Sequence, residues 1–284
     1  MIELRSGRLR CELRPELGGS IAGFWMDGQP VLRSTPADRL DSARFAGCYP
    51  LVPFSNRVGH ASIVWQGTLQ PTVRHAGDPP HAIHGLAWQR AWSVLDSDAT
   101  SAMLACEHPA DASWPFAFDC SHTLRLTPQA LEMTLAVTNQ SGQPAPMGLG
   151  WHPYFVRRPG SRLALRASGR WELDADRLPT GRRPVQGLEQ DAGSLAVDDC
   201  FDGWDGSAQL RDDLMRVTVQ SELTRLVVFA EAGGDAIAIE PVSHVPNAVH
   251  LYATGAPVAD MGLALLQPGE TMLAQMRIVV EPAA

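Results

Sequence analysis

The sequence predicts an all-β protein built as one large antiparallel β-sandwich. Apolar and polar residues alternate with a period of two in many short runs, which is typical of strands with one buried face. No segment sustains a helical period, and 25 glycines and 22 prolines punctuate the runs. Because the strand-like runs do not alternate with helices, a doubly wound parallel sheet is disfavoured. No internal repeat or low-complexity linker divides residues 1–284, so a single domain is predicted.

Two hairpins are predicted from this alternation. In the first, residues 2–5 and 9–14 alternate, and Ser6-Gly7 between them supplies turn chemistry. The second joins residues 120–126 to residues 131–137 through a Thr-Pro-Gln turn. Both hairpins join strands that are adjacent in sequence, as expected for an antiparallel sandwich.

Further runs have the composition of strands and are bounded by clusters of Gly, Pro, Asp and Ser. They lie at Trp92–Leu95, Met103–Cys106, Leu163–Leu165, Met215–Val219, Leu226–Phe229, Ala236–Ile239, Val249–Tyr252 and Met276–Val280. Many short strands of this kind, spread over the whole chain, are typical of a sandwich.

The charge balance argues against several kinds of partner. A formal net charge of -8 gives a mildly acidic surface that repels nucleic acid and anionic lipid, so neither is expected as a partner. Charges in Met1-Ile2-Glu3-Leu4-Arg5 interrupt the apolar run that a signal peptide needs, and no segment has the length of a membrane-spanning helix. The 5 cysteines are scattered without a Cys-x-x-Cys pair, which is typical of unreactive thiols in a reducing compartment. A cytoplasmic protein is therefore expected.

The absence of lysine excludes whole mechanisms. All 23 of the Lys+Arg residues are arginine. A Schiff-base aldolase, a pyridoxal-phosphate enzyme and a Walker-type phosphate loop each need a lysine amine at the reacting centre. None of these mechanisms is available to this chain, and no cofactor is expected.

Two residues that precede prolines are candidates for acid–base chemistry. His152 is held extended by Pro153, and an imidazole with a pKa of about 6.5 exchanges protons near neutrality. Glu240 precedes Pro241 and follows the apolar alternation of residues 236–239, so its carboxylate would project from the end of a core strand. Such a pair can supply an acid and a base. A half-buried histidine bonded to a carbonyl and a surface glutamate ending a strand are the alternative readings.

Two earlier segments carry polar side chains. Asn56 and Arg57 offer amide and guanidinium donors that suit sugar hydroxyls. His81 and His84 have a spacing that could hold a metal on a helix, but the flanking Pro79-Pro80 and Gly85 predict a loop. No metal is therefore expected there.

Taken in order along the chain, these segments resemble the aldose 1-epimerase (galactose mutarotase) family. The most specific match is His152-Pro153-Tyr154-Phe155, which is similar to the family's His-Pro-Tyr-Phe. The other matching segments are Asn56-Arg57-Val58, His84-Gly85, Asp198-Asp199-Cys200-Phe201 and Ile239-Glu240-Pro241. The resemblance covers nearly the whole chain.

The resemblance implies a galactose mutarotase-like supersandwich that interconverts the α and β anomers of a free aldohexose, as a monomer or homodimer without a metal. It implies that Glu240 is the base and His152 the acid. The residues that it implies for binding the sugar are Asn56, Arg57, His84 and Asp198. The residue types suit this chemistry, because ring opening needs a base for the O1 proton and an acid for the ring oxygen.

The chain departs from the family pattern at three positions. Leu86, Trp151 and Val156 replace a frequent second glycine, a smaller polar residue and an asparagine. These changes are expected to alter the pocket lining, and so the sugar accepted, more than the proton-transfer pair. Trp88, Trp151 or Trp204 could cover the C–H face of a sugar ring.

Three other functions stay open from the sequence. A glycoside hydrolase would use Glu240 and Asp198 as a carboxylate pair, and a carbohydrate-binding protein would keep the pocket without catalysis. A mutarotase for phosphorylated hexoses would need several arginines to converge on the phosphate. The candidates for that role are Arg39, Arg44, Arg74, Arg157 and Arg158.

Overall fold

The structure, a computed structural model, describes residues 1–72 and 80–283. Its strands in chain order are β1 (Ile2–Ser6), β2 (Leu9–Arg14), β3 (Ser20–Met26), β4 (Gln29–Pro30), β5 (Pro50–Leu51), β6 (Arg57–Val58), β7 (Ser62–Trp65), β8 (Thr68–Pro71), β9 (Ala82–Ile83), β10 (Ser93–Ser97), β11 (Ser101–His108), β12 (Phe118–Leu126), β13 (Ala130–Asn139), β14 (Ala145–Met147), β15 (Gly150–Trp151), β16 (Tyr154–Val156), β17 (Arg162–Leu173), β18 (Pro179–Pro184), β19 (Leu188–Asp191), β20 (Val197–Arg211), β21 (Met215–Ser221), β22 (Arg225–Ala230), β23 (Ala236–Val242), β24 (Ala264–Leu266) and β25 (Thr271–Pro282).

Within the described residues, helical structure is confined to short segments. The α-helices of the described residues are α1 (Ala248–Ala253) and α2 (Val258–Met261), and 3-10 turns lie at Ala43–Phe45, Gly59–Ala61 and Ala87–Gln89. Across the ranges 1–72 and 80–283, no helix has the length and apolar character needed to cross a membrane.

The strands form large antiparallel sheets, which confirms the predicted fold class. One sheet has the order β1-β2-β3-β4. A much larger sheet has the order β10-β11-β12-β13-β25-β21-β20-β22-β23-β15-β5, with β16 beside β23 and β17 beside β18, β19 and β20. Two-stranded ribbons pair β14 with β24, β6 with β9, and β7 with β8.

Both predicted hairpins are confirmed. Strands β1 and β2 pair in the register that sets Ser6 opposite Leu9, and Gly7 in the turn has φ +57°, a conformation that glycine adopts without steric cost. Strands β12 and β13 pair from Phe118 opposite Asn139 to Leu126 opposite Leu131. Alternate side chains along both of these longer strands are buried, as the period of two predicts.

The core joins the two sheets. Leu4 and Phe24 of the four-stranded sheet lie in one hydrophobic cluster with Leu124, Leu135 and Ile278 of the large sheet, and all are 0% exposed. Full burial of such a side chain contributes roughly 1.5–3 kcal/mol relative to exposure. The cysteines of the described residues are free and buried within this framework.

One strand prediction is wrong. Val249–Tyr252 was expected to be a strand, but it lies in helix α1. Val249 is buried, and the Tyr252 ring lies 5.9 Å from the Trp65 ring of β7. Val249 and Tyr252 are three positions apart and would therefore share one face of a helix. A four-residue run with an apolar residue at each end is thus as compatible with a helix packed on β7 as with a strand. The other predicted runs lie in β10, β11, β17, β21, β22, β23 and β25. The run predicted from Trp92 begins one residue before the observed strand β10, which starts at Ser93.

Candidate active site

The register of the large sheet sets His152 opposite Glu240. Strands β15 and β16 both pair with β23, Gly150 lying opposite Val242 and Tyr154 opposite Ala238. The same register, continued across Pro153, brings His152 and Glu240 side by side. Glu240 lies inside β23 and opposite Val227 of β22, rather than at a strand end as its position before proline suggested.

His152 and Glu240 form a buried pair. The Nε2 atom of His152 lies 3.3 Å from Oε1 of Glu240, and their side chains are only 5% and 2% exposed. The Tyr154 hydroxyl is also 3.3 Å from Nε2, and the Tyr154 ring stacks on the imidazole at 4.3 Å. The backbone N–H of His152 donates to the carbonyl of Tyr49, whose ring packs 4.9 Å from the imidazole. The imidazole is therefore fixed in direction.

Burial moves both groups of the pair toward their neutral forms. It raises the pKa of Glu240 well above the ordinary value, and the nearby Asp198 charge adds to that effect while Arg57 opposes it. Burial also lowers the pKa of His152 well below the ordinary value, with His84 and Arg33 acting in the same direction. The pair consequently favours the state in which it holds one proton and no net charge.

A second pairing brings Asn56 next to His84. Strands β6 and β9 pair Arg57 with Ile83, and the next residues, Asn56 and His84, have left-handed backbones with φ +53° and +62°. The N–H of Asn56 donates to Nδ1 of His84 at 3.2 Å, and the N–H of His84 donates to the Asn56 carbonyl at 2.9 Å. Because Nδ1 is an acceptor, a neutral His84 carries its proton on Nε2 and can donate there.

Gly85 allows this turn to lie close to its neighbour. It has φ +70°, and a Cβ atom added to it would lie 2.2 Å from the Val52 carbonyl oxygen. Any other residue would push the two backbones apart. The glycine therefore fixes the position of His84, whose ring meets the His152 ring edge-on at 4.9 Å.

Arg57 and Asp198 form a charged contact between distant segments. The Arg57 Nη1 atom lies 3.5 Å from Oδ2 of Asp198 on β20. Arg177 donates to the same carboxylate oxygen at 3.0 Å. The side chain of Arg57 is 7% exposed, whereas that of Arg177 is 55% exposed, so Asp198 bridges the interior to the surface.

All of these groups line one cavity of about 730 Å³. The structure thus brings together every residue that the sequence singled out for the site: Asn56, Arg57, His84, His152, Asp198 and Glu240. Sequence reasoning missed other lining residues, among them Arg33, Tyr49 and Arg177. Tyr154 also lines the cavity, and its place in the His-Pro-Tyr-Phe segment was the one signal that pointed to it.

Only one of the tryptophans considered for the sugar face lines the cavity. Trp88 does so, and it stacks on Tyr49 at 5.2 Å. Trp151 is fully buried and donates its indole N–H to Nε2 of His122 at 3.1 Å, while Trp204 donates to the Ser207 carbonyl at 2.9 Å. Those two tryptophans belong to the core.

The departures from the family pattern do not lie where the sequence predicted. Leu86 and Trp151 are buried in the core cluster, and Val156 is half-buried on β16. None of the three is among the residues that line the cavity in the described part of the chain. The expectation that they alter the pocket lining is therefore wrong, since the side chains of Leu86 and Trp151 pack into the core instead.

Of the arginines considered for a phosphate, the four that the structure describes do not converge. Arg44 lines the cavity, but Arg157 donates to the carbonyls of Glu231 and Gly193, and Arg158 pairs with Asp212 at 2.9 Å. Arg39 is exposed outside the cavity lining, and Arg74 lies outside the described residues.

His81 has a structural contact. Its Nδ1 atom accepts the backbone N–H of His60 at 3.1 Å, and the residue is not part of the cavity lining. Over residues 1–72 and 80–283, no group of three or more His, Cys, Asp or Glu side chains is arranged to hold a metal ion.

The fold and the site together define an all-β protein with a buried imidazole–carboxylate pair in a polar, ligand-sized cavity. Comparison with known families identifies it further. A family model described as aldose 1-epimerase matches residues 1–279, and the chain belongs to that family.

Known relatives are consistent with this assignment. The uncharacterized protein YphB of Escherichia coli (strain K12) is 33% identical over 98% of each chain. A putative aldose 1-epimerase from the same organism has a solved structure with a TM-score of 0.88 and 29% identity, covering 99% of this chain and 98% of that one. A galactose mutarotase-like protein from Clostridium acetobutylicum has a TM-score of 0.84 at 18% identity, covering 99% and 95%, and shows the shared fold.

Proposed function

We propose that the protein is an aldose 1-epimerase that interconverts the α and β anomers of a free aldohexose. The observation that carries this proposal is the 3.3 Å contact between Nε2 of His152 and Oε1 of Glu240 inside the cavity. Anomer exchange needs one acid and one base that act on the same ring. The family to which the chain belongs supports the same reaction class.

The reaction follows from the single proton that the pair holds. Burial favours the proton on Glu240, and its transfer across the 3.3 Å contact to His152 gives the reactive state. In that state the Glu240 carboxylate takes the O1 proton of the sugar while Nε2–H of His152 protonates the ring oxygen. The C1–O5 bond breaks as the C1=O1 carbonyl forms, and the proton now resides on Glu240. After rotation about C1–C2, the same steps in reverse close the ring on the other face of the carbonyl. The pair is neutral before and after ring opening, which suits a buried site.

The surrounding side chains are suited to hold the sugar hydroxyls. Arg57 and Asp198 offer a guanidinium donor and a carboxylate acceptor, and His84 offers its Nε2–H. Trp88 provides an aromatic surface for the C–H face of the ring. Groups that orient the ring make the two proton transfers intramolecular, which is a large part of the expected acceleration.

The contacts of Asp198 favour this proposal over a glycoside hydrolase. A hydrolase needs two carboxyl groups poised on either side of a glycosidic bond. Here Glu240 contacts an imidazole, and Asp198 is bound by the guanidinium groups of Arg57 and Arg177. These contacts support a binding role for Asp198 over a role as a proton donor.

Anomer-exchange kinetics test the proposal directly. Polarimetry should show that the purified protein accelerates the mutarotation of free aldohexoses above the spontaneous rate. Hydrolysis of aryl glycosides without anomer exchange would instead identify a hydrolase. Sugar binding measured by calorimetry, with mutarotation left at its spontaneous rate, would identify a binding protein. Faster exchange of hexose 6-phosphates than of neutral hexoses would identify the phosphorylated sugar as substrate.

A further inference from the structure

We propose that the cavity contains an outer subsite for a second sugar ring, so that the preferred substrates are reducing disaccharides rather than single hexoses. This inference rests on the proposed function, because the reducing ring must occupy the site of His152 and Glu240. The outer subsite is defined here by Asp41, Arg44, Phe45, Glu231 and Asp235, all of which line the cavity and are exposed.

The size of the cavity exceeds the need of one hexose. A hexose consists of six CH₂O groups, each close to a water in volume, and so occupies roughly 180 Å³ at about 30 Å³ per water. The cavity measures about 730 Å³. Sites of this size usually surround ligands much larger than one sugar ring. Space for a second ring therefore remains after the first is bound.

The cavity lining divides into a buried part and an exposed part. The catalytic pair lies in the buried part with Tyr49, Asn56 and Arg57, all less than a tenth exposed. The exposed part, which includes the outer subsite, lies toward solvent. A disaccharide would thus place its reducing ring inside and its second ring at the mouth.

Phe45 supplies a stacking surface at the mouth. It is 54% exposed. Among the large hydrophobic side chains that are exposed in the described residues, it is the one aromatic. Exposure of an aromatic ring to water is unfavourable, whereas the C–H face of a sugar covers such a ring well. A phenylalanine at this position is therefore explained by a ligand that stacks on it.

The segment that carries Phe45 is held rigidly. The Thr35 hydroxyl donates to the Phe45 carbonyl at 3.0 Å, and Arg33 donates to the carbonyls of Arg44 and Ala46, each at 2.6 Å. The Arg33 guanidinium also lies 3.8 Å over the Tyr154 ring, which stacks on His152. The backbone that carries Phe45 is thus tied to the catalytic pair, and little backbone entropy is lost when a ligand binds.

The charges of the outer subsite favour a neutral substituent over a phosphate. Across the exposed cavity lining of the described residues, four carboxylates outnumber two guanidinium groups; they belong to Glu16, Asp41, Glu231 and Asp235, and to Arg44 and Arg177. An anion placed among them would be repelled. Carboxylates and a guanidinium are, however, good partners for the hydroxyl groups of a second sugar ring.

The test compares an aldohexose with a panel of 4-linked and 6-linked reducing disaccharides in anomer-exchange assays. The wild-type protein should process at least one disaccharide with a kcat/KM higher than that of the hexose. Phe45→Ala should lower kcat/KM for that disaccharide roughly three- to tenfold and leave the hexose value unchanged. Phe45→Trp should restore the disaccharide value, and Leu273→Ala, at a residue that is equally exposed (54%) on β25, serves as the control.

Each result decides the inference. The inference is overturned if the hexose is accelerated and no disaccharide has a kcat/KM above the hexose value. A Phe45→Ala effect that is equal for both sugars or absent also overturns it. If neither sugar is accelerated, the proposed function fails. Binding of the two sugars, measured by calorimetry, then tests the outer subsite independently of catalysis. Tighter binding of a disaccharide than of a hexose, lost in Phe45→Ala, supports the outer subsite; equal or undetectable binding overturns it.

Discussion

Replacing Glu240 with glutamine is expected to stop turnover and yet to stabilise the folded protein at alkaline pH. The residue is 1% exposed, and its Oε2 atom has no hydrogen-bond partner among the described residues. Burial raises its pKa, so the folded state must hold an unfavourable carboxylate once the pH exceeds that value. Glutamine has the same shape and never ionises.

The sign of the pH dependence follows from the raised pKa. Below the ordinary glutamate pKa of 4.5, Glu240 is protonated in both the folded and the unfolded chain. In that pH range the raised pKa makes its full contribution to the stability of the folded state. That contribution is lost as the pH rises through the folded-state pKa. An incompletely bonded buried group costs about 1–3 kcal/mol, so Glu240→Gln should gain that much at alkaline pH. For a chain of this length the gain corresponds to a Tm increase of roughly 2–6 °C.

Two assays check the expectation. Thermal unfolding of the wild type and Glu240→Gln, followed from about pH 4 to about pH 9, should give Tm curves that separate as the pH rises. Polarimetry should show turnover lower by at least about a hundredfold. Glu132→Gln is the matched control, because Glu132 is 39% exposed and pairs with Arg277 on the surface. A Tm difference that does not change with pH would refute the burial argument, and near-normal turnover would refute the role of the base.

Three other substitutions test separate parts of the reasoning. His152→Asn should lower turnover at least about a hundredfold and move the acid limb of the kcat/KM profile to higher pH, since the residual activity then requires Glu240, whose pKa is raised by burial, to lose its proton; an unchanged acid limb would assign it to another group. Asp198→Asn should move the alkaline limb to lower pH, because the Asp198 charge helps to raise the pKa of Glu240; a limb that stays in place or moves upward contradicts this. Trp151→Phe should cost about 1–3 kcal/mol in denaturant unfolding, since the indole bond to His122 is lost, with kcat nearly unchanged; a large loss of kcat would place Trp151 in the site.

Local patterns predicted most of the strands that have five or more residues. The hairpins of β1–β2 and β12–β13 follow from alternation and turn residues, both of which act over a few positions. The failure at Val249–Tyr252 has the same origin, because a short apolar run is compatible with a strand or a helix until its packing partner is known. That partner, Trp65, lies far away in the sequence.

The sequence by itself determined the strand character of the chain, the mechanisms closed to a protein without lysine, and the short segments that hold the site residues. Only the tertiary structure decided that His152 lies opposite Glu240, since the register of β15, β16 and β23 joins segments nearly ninety positions apart. It alone placed Arg33 and Phe45 at the cavity. It also decided the protonation of the pair, because a pKa depends on burial and on neighbouring charges that no local pattern contains.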